Sequence, residues 1–483
     1  MKYEIKLVRE GRTVLAEHGE TLLAVEIAAG LEPDAPCGGQ GTCGKCLIDV
    51  LKDGRWETVK ACQTRVEGPM EVRTHEKGVG VHVLISGGAK EKRRTSFWAQ
   101  EHELRVKPCP TGLSTSDWDR LKDALSERTG FGGWRANTAA ASQLAGICKE
   151  NDGRVFAVTA GDRVLAVSDR ELPVYMAAFD VGTTTIAGYL LKTGETEPVE
   201  TAGMLNPQAQ YGADVIMRAN YALENGAQAL ADCVHGAVNE LITQLCAKAD
   251  IERTDIYAVS VVGNTCMHHL FLGISPKSLA HSPYNPAISE ELVLRAADYG
   301  IKANPEADLL MPPVIAGFVG ADTVGCLLSV DWDKLEKLTL MIDIGTNGEI
   351  VVGNRERMIA CSTAAGPAFE GAKIQCGMRG AEGAVDHVKI ADGKPVWHVI
   401  GEGRAKGICG SGLIDLIAVL RRLGEIDDGG KLLCGERYEL GDTGVFLSQR
   451  DIREVQLAKG AINAGIKLLA WRLGVGLEDI EQV

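Results

Sequence analysis

Apolar and polar positions at the start of the chain alternate with the period of a strand. Tyr3-Glu-Ile-Lys-Leu-Val and Arg12-Thr-Val-Leu-Ala-Glu are two such runs, and Gly11 sits where a hairpin turn would join them. Thr21 then stands as the N-cap of a short helix from Leu22 to Ala29, which Gly30 ends. Cys46-Leu-Ile-Asp-Val-Leu is a third strand that opens on a cysteine. The pattern fades over 79–98, where Gly80, Gly87, Gly88 and the charge run Lys90-Glu-Lys-Arg-Arg read as a linker. Between 99 and 172, Ser116 caps a helix over Asp117–Glu127. Arg154-Val-Phe-Ala-Val and Arg163-Val-Leu-Ala-Val flank Gly161-Asp162 as a hairpin. That stretch reads as a small α/β middle domain, and its residues point to no particular chemistry.

From residue 173 onward the pattern repeats itself. Ala177-Ala-Phe-Asp-Val-Gly-Thr-Thr-Thr-Ile-Ala-Gly-Tyr is echoed by Leu340-Met-Ile-Asp-Ile-Gly-Thr-Asn-Gly-Glu-Ile-Val-Val. Each copy is a buried strand, an aspartate, a Gly-Thr turn and a second strand. A duplication of this kind calls for two similar lobes, 173–330 and 331–483. Asn206-Pro-Gln-Ala-Gln-Tyr-Gly gives a turn before a helix starting near Asp214. Ile256-Tyr-Ala-Val-Ser-Val-Val-Gly is a buried strand, with Asn264 and Thr265 capping the helix behind it. His268 and His269 on that helix point about 100° apart, which favours packing over joint metal chelation. Val314-Ile-Ala-Gly-Phe-Val-Gly-Ala-Asp322 runs from strand to helix, Asp322 being either a further acidic group or a cap. Gly410-Ser-Gly412 opens an apolar helix, as an anion cradle or as a tight packing turn.

Composition narrows the class. The chain has 483 residues, 45% hydrophobic and 24% charged, which is several domains of ordinary globular protein. A net charge of −14 argues against nucleic acid or an anionic membrane as partner. No stretch of 18 apolar residues occurs, and the N-terminus does not read as a signal peptide, so a cytoplasmic protein is expected. Ten of the 14 cysteines are scattered singly, as buried or inert thiols in a reducing, anaerobic setting.

The other four carry chemistry. Cys37, Cys43 and Cys46 fall in Cys-Gly-Gly-Gln-Gly-Thr-Cys-Gly-Lys-Cys, and Cys62 follows sixteen positions later. Three clustered thiols plus one distant thiol is the plant-type arrangement for a [2Fe–2S] cluster. The first spacing is one residue longer than the usual C-x4-C. A structural zinc site is the alternative, but zinc knuckles come as two cysteine pairs. The two Gly-Thr turns suit phosphate. Gly182 and Gly345 let the backbone approach an anion, and the neighbouring N–H groups and hydroxyls form a polar nest. Asp180 and Asp343 suit Mg2+ held through water. A single Asp-x-Gly-Thr is also an ordinary hairpin turn; two copies in equivalent places weigh against that.

These features add up to resemblances. The first 78 residues are similar to the β-grasp [2Fe–2S] ferredoxins. The paired turns resemble the phosphate loops of the actin, Hsp70 and sugar-kinase (ASKHA) superfamily, whose RNase H-like lobes hold ATP between them. The segments CGGQGTCGKC, FDVGTTT, NPQAQYGADVIMR, VVGNTCMHH, GFVGADTVG, DIGTNGE, AAGPAFEGA and GICGSGLID together resemble the ATP-dependent reductive activators of corrinoid proteins. The resemblance implies an α/β multidomain fold: a ferredoxin domain over 1–78, a linker over 79–98, a middle domain over 99–172 and two lobes. The second lobe is expected to be incomplete, because no Gly-Gly adenosine motif follows the last helix. It also implies that Cys37, Cys43, Cys46 and Cys62 ligate the cluster. Gly182, Thr183, Thr184, Gly345, Thr346 and Asn347 would contact ATP phosphates, and Asp180 and Asp343 would serve Mg2+. Expected partners are a corrinoid protein of a methyltransferase system and an upstream electron donor, with a homodimer allowed. The implied reaction is Co(II) to Co(I) reduction. The alternatives are a redox-sensing small-molecule kinase and a plain electron carrier.

Overall fold

The alternating runs at the N-terminus pair as a hairpin, β1 (Lys2–Leu7) with β2 (Arg12–Glu17), in register from Lys2↔Glu17 to Leu7↔Arg12. The computed structural model describes the chain apart from residues 1, 32, 34, 36–38, 40, 42–45, 53, 75–96, 110, 111, 113, 151, 213, 346, 372 and 402. Cys37, Cys43, Thr346 and nearly all of the expected linker 79–98 lie outside the described residues. Helix α1 (Leu22–Ala28) starts where Thr21 Oγ1 accepts from Ala24 N at 3.3 Å, which satisfies one of the unpaired first-turn donors. Strands β3 (Leu47–Lys52), β4 (Arg55–Lys60) and β5 (Met70–Thr74) complete a sheet of order β2-β1-β5-β3-β4. The central β1 and β5 run parallel. Ile5, Leu7, Ile48, Val50 and Val72 pack with Leu22, Leu23 and Val25 of α1 in one core, the β-grasp arrangement. β4 escapes a reading by alternation, because Glu57 and Thr58 both fall between its apolar Trp56 and Val59, whereas the five residues of β5 alternate but are too short a run to stand out.

The chain divides into two units, one of Met1–Leu84, Pro207–Asn225 and Cys326–Val483, the other of Ile85–Asn206 and Gly226–Gly325. The second unit begins with β6 (Ala99–Arg105), α2 (Asp117–Thr129), α3 (Thr138–Glu150), β7 (Arg154–Ala160) and β8 (Arg163–Ser168). The three strands form an antiparallel sheet, and Ser116 Oγ caps α2 by accepting from Asp119 N at 3.0 Å. Then come β9 (Tyr175–Val181), β10 (Thr185–Lys192) and β11 (Glu200–Leu205). Helix α4 (Val215–Asn225) belongs to the other unit. Next follow α5 (Gln228–Ala249), β12 (Ile256–Val262), α6 (Thr265–Phe271), α7 (Lys277–Ala280), β13 (Leu292–Arg295) and β14 (Asp308–Met311). The unit closes within α8 (Ala321–Ser329).

Its main sheet has the order β11-β10-β9-β12-β14-β13, an antiparallel meander extended by the parallel strands β12 and β14. α5 packs on β10 and β11, and its Leu230, Val234, Val238, Leu241 and Leu245 are buried. The almost fully buried Asp308 ties the small sheet to the large one, held by Arg163 and by Trp98 Nε1 at 2.7 Å. A buried carboxylate needs such partners, and removing one typically costs about 3–5 kcal/mol.

The first unit repeats the meander in β15 (Thr339–Ile344), β16 (Gly348–Gly353) and β17 (Met358–Thr363). Next come β18 (Ala384–Ala391), β19 (Lys394–Val399), β20 (Gly407–Ile408) and α9 (Gly410–Arg422). The last elements are β21 (Arg437–Glu439), β22 (Phe446–Ser448) and α10 (Gln449–Leu473). α10 opens on a capping box, with Ser448 Oγ accepting from Asp451 N and Asp451 Oδ2 from Ser448 N. It lies on β16 and β17 as α5 lies on β10 and β11. Gln482 then pairs in parallel with Thr339, the place β12 takes beside β9. The repeat expected from sequence is therefore a repeat of topology, and the fold is α/β and multidomain.

Candidate functional site

Two of the four expected cluster thiols are described, and they share one core. Cys46 directly precedes β3 and Cys62 follows β4; both are buried among Leu22, Leu23, Ile48 and Ala61. Ala61 N donates to Cys46 O at 2.7 Å, fixing the two segments together. Gly39, from the loop between Cys37 and Cys43, lies so that a Cβ there would stand 3.8 Å from Cys62 Cβ and 3.1 Å from Leu23 Cδ2. With φ at +87° and so little room, only glycine suits the position. Gly39 thus packs against the second cysteine segment. Neither described cysteine is in a disulfide, and two buried cysteine sulfurs in one core fit part of the ligand set of an iron–sulfur group.

The first Gly-Thr turn joins β9 to β10. Asp180 is the exposed penultimate residue of β9, and Gly182 follows. A Cβ on Gly182 would stand 2.8 Å from Thr185 O, so the turn closes only around glycine. Asn206 Nδ2 donates to Gly182 O at 2.8 Å. Asn264 Nδ2 donates to the buried Thr183 Oγ1 at 3.0 Å, while Asn264 Oδ1 caps α6 by accepting from Met267 N. Gly263 and Gly320 make this convergence possible. A Cβ on Gly263 would stand 2.7 Å from Val181 O, and one on Gly320 would stand 2.5 Å from Asn264 Cα. The segments FDVGTTT, VVGNT and GFVGAD, together with Asn206, therefore meet at one loop. Thr184 O accepts from Asn206 N at 2.9 Å.

The second turn joins β15 to β16. Gly345 N donates to Asn347 O at 2.9 Å. Asp343 is again the penultimate residue of its strand, but half-buried. Burial pushes its carboxyl above the ordinary range, and a contact from the Cys326 thiol, 3.9 Å from Oδ2, partly counters that. Glu349 stands opposite Asp343 in the β15–β16 register, so the two carboxylates share a face. Ser362 Oγ donates to Glu349 Oε1 at 3.0 Å. Neither Glu349 nor Cys326 is singled out by sequence reading; the glutamate two residues past Asn347 is the signal that was there.

Other expectations resolve as packing. Gly410 and Gly412 leave room for Phe369 O and Val385 O, against which a Cβ would stand at 2.0 and 2.1 Å. This is the geometry of the tight packing turn. His269 is satisfied on both sides, its Nδ1 donating to Thr265 O at 2.8 Å and its Nε2 accepting from Ala287 N at 2.9 Å. His268 is buried with neither ring nitrogen bonded among the described residues. Burial, with the neighbouring His269, lowers its pKa to about 4. Asp322 Oδ1 accepts from Thr323 N at 2.7 Å, within the first turn of α8. Arg218, fully buried in α4, binds Gly212 O at 2.9 Å and Gln208 Oε1 at 3.3 Å, folding the turn before the helix onto itself.

Comparison with known proteins gives this geometry a context. Residues 2–77 match the family of 2Fe-2S iron-sulfur cluster binding domains. Residues 175–335 match the RACo middle region, and residues 337–483 match the C-terminal domain of RACo, the ASKHA domain. The family's middle region is thus the first lobe, and the α/β segment 99–172 falls between the matched spans. The chain is 33% identical over 489 residues to the corrinoid activation enzyme RamQ of Eubacterium limosum, covering 94% of this chain and 81% of that protein. It is 29% identical to a [Co(II) methylated amine-specific corrinoid protein] reductase of Methanosarcina barkeri, over 64% of this chain and 62% of that one. A solved structure of a reductive activator for a corrinoid, iron-sulfur protein superposes with a TM-score of 0.73 at 29% identity. It covers 99% of this chain and 85% of that one. No described helix is long and apolar enough to cross a membrane. The ferredoxin-type domain, the repeated lobes and these matches agree: the chain belongs to the family of reductive activators of corrinoid proteins.

Proposed function

We propose that this protein reduces the inactive Co(II) form of a corrinoid protein to Co(I), one electron at a time, with ATP hydrolysis driving the transfer. The observation that carries this is the presence, in one chain, of Cys46 and Cys62 in one core with Gly39 against Cys62, and of two Gly-Thr turns with aspartates at matching strand positions. Cys37, Cys43, Cys46 and Cys62 would hold a [2Fe–2S] cluster, which when bound supplies one-electron transfer. Gly182, Thr183, Thr184, Gly345, Thr346 and Asn347 would bind phosphate oxygens. Asp180 and Asp343 would hold Mg2+ through water, with Glu349 on the same face as Asp343.

The need for ATP follows from magnitudes. For one electron, about 59 mV is a tenfold change in equilibrium, so an uphill gap of roughly 0.2 V costs about 5 kcal/mol. Nucleotide binding can offset that only if two states of the protein bind the corrinoid partner differently. The residues described here serve that end by rigidity: Asn206 and Asn264 hold Gly182 and Thr183 in place before any phosphate arrives.

A kinase reading needs a carboxylate free to take a hydroxyl proton, and its candidate, Asp322, is engaged at the start of α8. Incubation with ATP and either a Co(II) corrinoid protein or a panel of sugars separates the two readings. ATPase activity stimulated by the corrinoid protein alone supports reductive activation; a phosphorylated sugar refutes it.

A further inference from the structure

The β18–β19 hairpin carries two histidines that neither the cysteine loop nor the phosphate turns use. His387 and His398 are direct partners in the antiparallel register, so their side chains leave the same face of the sheet. Both are open to solvent, with 72% and 68% of their side-chain surface exposed. Each commits its Nδ1 to a carboxylate: His387 to Asp415 Oδ2 at 3.3 Å, and His398 to Asp386 Oδ1 at 2.6 Å. An imidazole that donates Nδ1–H to a carboxylate keeps its lone pair on Nε2. This is the arrangement that orients metal-binding histidines and fixes their tautomer.

The carboxylates are themselves anchored. Asp415 sits on α9 and also accepts from Val388 N at 3.2 Å. Asp386 is buried beside the bulge in β18, and its main-chain oxygen accepts from Ser411 Oγ at 2.8 Å. Gly412 brings α9 against Val385 O, locking helix to strand. The pair of rings is therefore built on rigid elements with a second layer of support, as a preorganised site requires.

We propose that His387 and His398 form a surface site for a borderline divalent cation of the zinc type, each giving Nε2. Among the described residues no third His, Cys, Asp or Glu completes a cage, so water fills the remaining positions and the metal is exchangeable. The site lies in the C-terminal domain and is independent of the cluster thiols and of the nucleotide.

The test is equilibrium dialysis of the full, cluster-loaded chain against Zn2+ alone, with zinc and iron counted together. The wild type should hold about one equivalent of zinc more than H387A/H398A at equal iron content. Asp415→Asn should weaken that equivalent by about 10- to 100-fold, and Lys389→Ala, on the same strand, should leave it unchanged. Equal zinc in the wild type and the double variant overturns the proposal. A second measurement avoids the variants: Zn2+ should protect His387 and His398 of the wild type from acylation of their rings, read by mass spectrometry. Unprotected rings at saturating zinc overturn it equally.

Discussion

Asn264 holds Thr183 with one end of its amide and its own helix with the other: Nδ2 donates to Thr183 Oγ1 and Oδ1 accepts from Met267 N, each at 3.0 Å. The two roles separate by substitution. Asn264→Asp keeps the cap but loses the donor and adds a negative charge beside the turn. It should melt within a few degrees of wild type yet bind ATP at least tenfold more weakly in calorimetry. Asn264→Ala should lose both, with about 1 kcal/mol of stability gone from the cap alone. Wild-type affinity in Asn264→Asp would separate this contact from the nucleotide.

The two turn glycines differ in what surrounds them. A Cβ on Gly182 would stand 2.8 Å from Thr185 O, whereas the nearest atom to a Cβ on Gly345 is Asn347 O at 3.9 Å. Gly182→Ala should therefore destabilise its unit by roughly 1–3 kcal/mol, the usual cost of overpacking, while Gly345→Ala should fold normally. Urea denaturation of both variants checks this, and equal midpoints would contradict it.

Glu26 makes the ferredoxin domain sensitive to pH. Burial, with Glu10 nearby, raises its pKa from 4.5 to about 7. Between those values the folded state keeps a proton that the unfolded chain releases. Stability therefore falls as pH rises from about 4.5 through about 7, by up to roughly 3 kcal/mol. Glu26→Gln should abolish that slope and raise the melting temperature at pH 8, followed through the visible absorbance of the cluster. A slope unchanged in Glu26→Gln would place the sensitivity elsewhere.

Much of this was legible beforehand wherever the signal is local. Thr21, Ser116 and Asn264 announce their helices because a cap acts within three residues, and the repeated Asp-x-Gly-Thr shows two meanders because each strand-turn-strand copy is contiguous in sequence. What stayed hidden depends on register or on distant closure. Asn206 reaches Gly182 across 24 residues, Cys326 reaches Asp343 across 17, and His387 meets His398 only through a pairing that includes a bulge. Strand β4 does not show in the pattern because Glu57 and Thr58 interrupt its alternation, and β5 because its alternating run is only five residues long; tertiary context supplies what pattern does not.

Cys62 stands alone in sequence but not in space, since Gly39 and Cys46 share its core. Cys62→Ser should lower iron and acid-labile sulfide together and remove the visible absorbance of the cluster. Cys409→Ser, at a buried thiol bonded to Val385 O at 3.4 Å, should retain both. Full iron and sulfide in Cys62→Ser would remove it from the ligand set.

The central claim is that the nucleotide lobes drive electron delivery from the cysteine domain. It is tested most directly by mixing the reduced protein with a Co(II) corrinoid protein and following cobalt oxidation state in the visible spectrum, with and without Mg-ATP. The account predicts that Co(I) accumulates far more with Mg-ATP than without, and that Cys62→Ser yields none in either case. Reduction running equally far in the absence of ATP would contradict it.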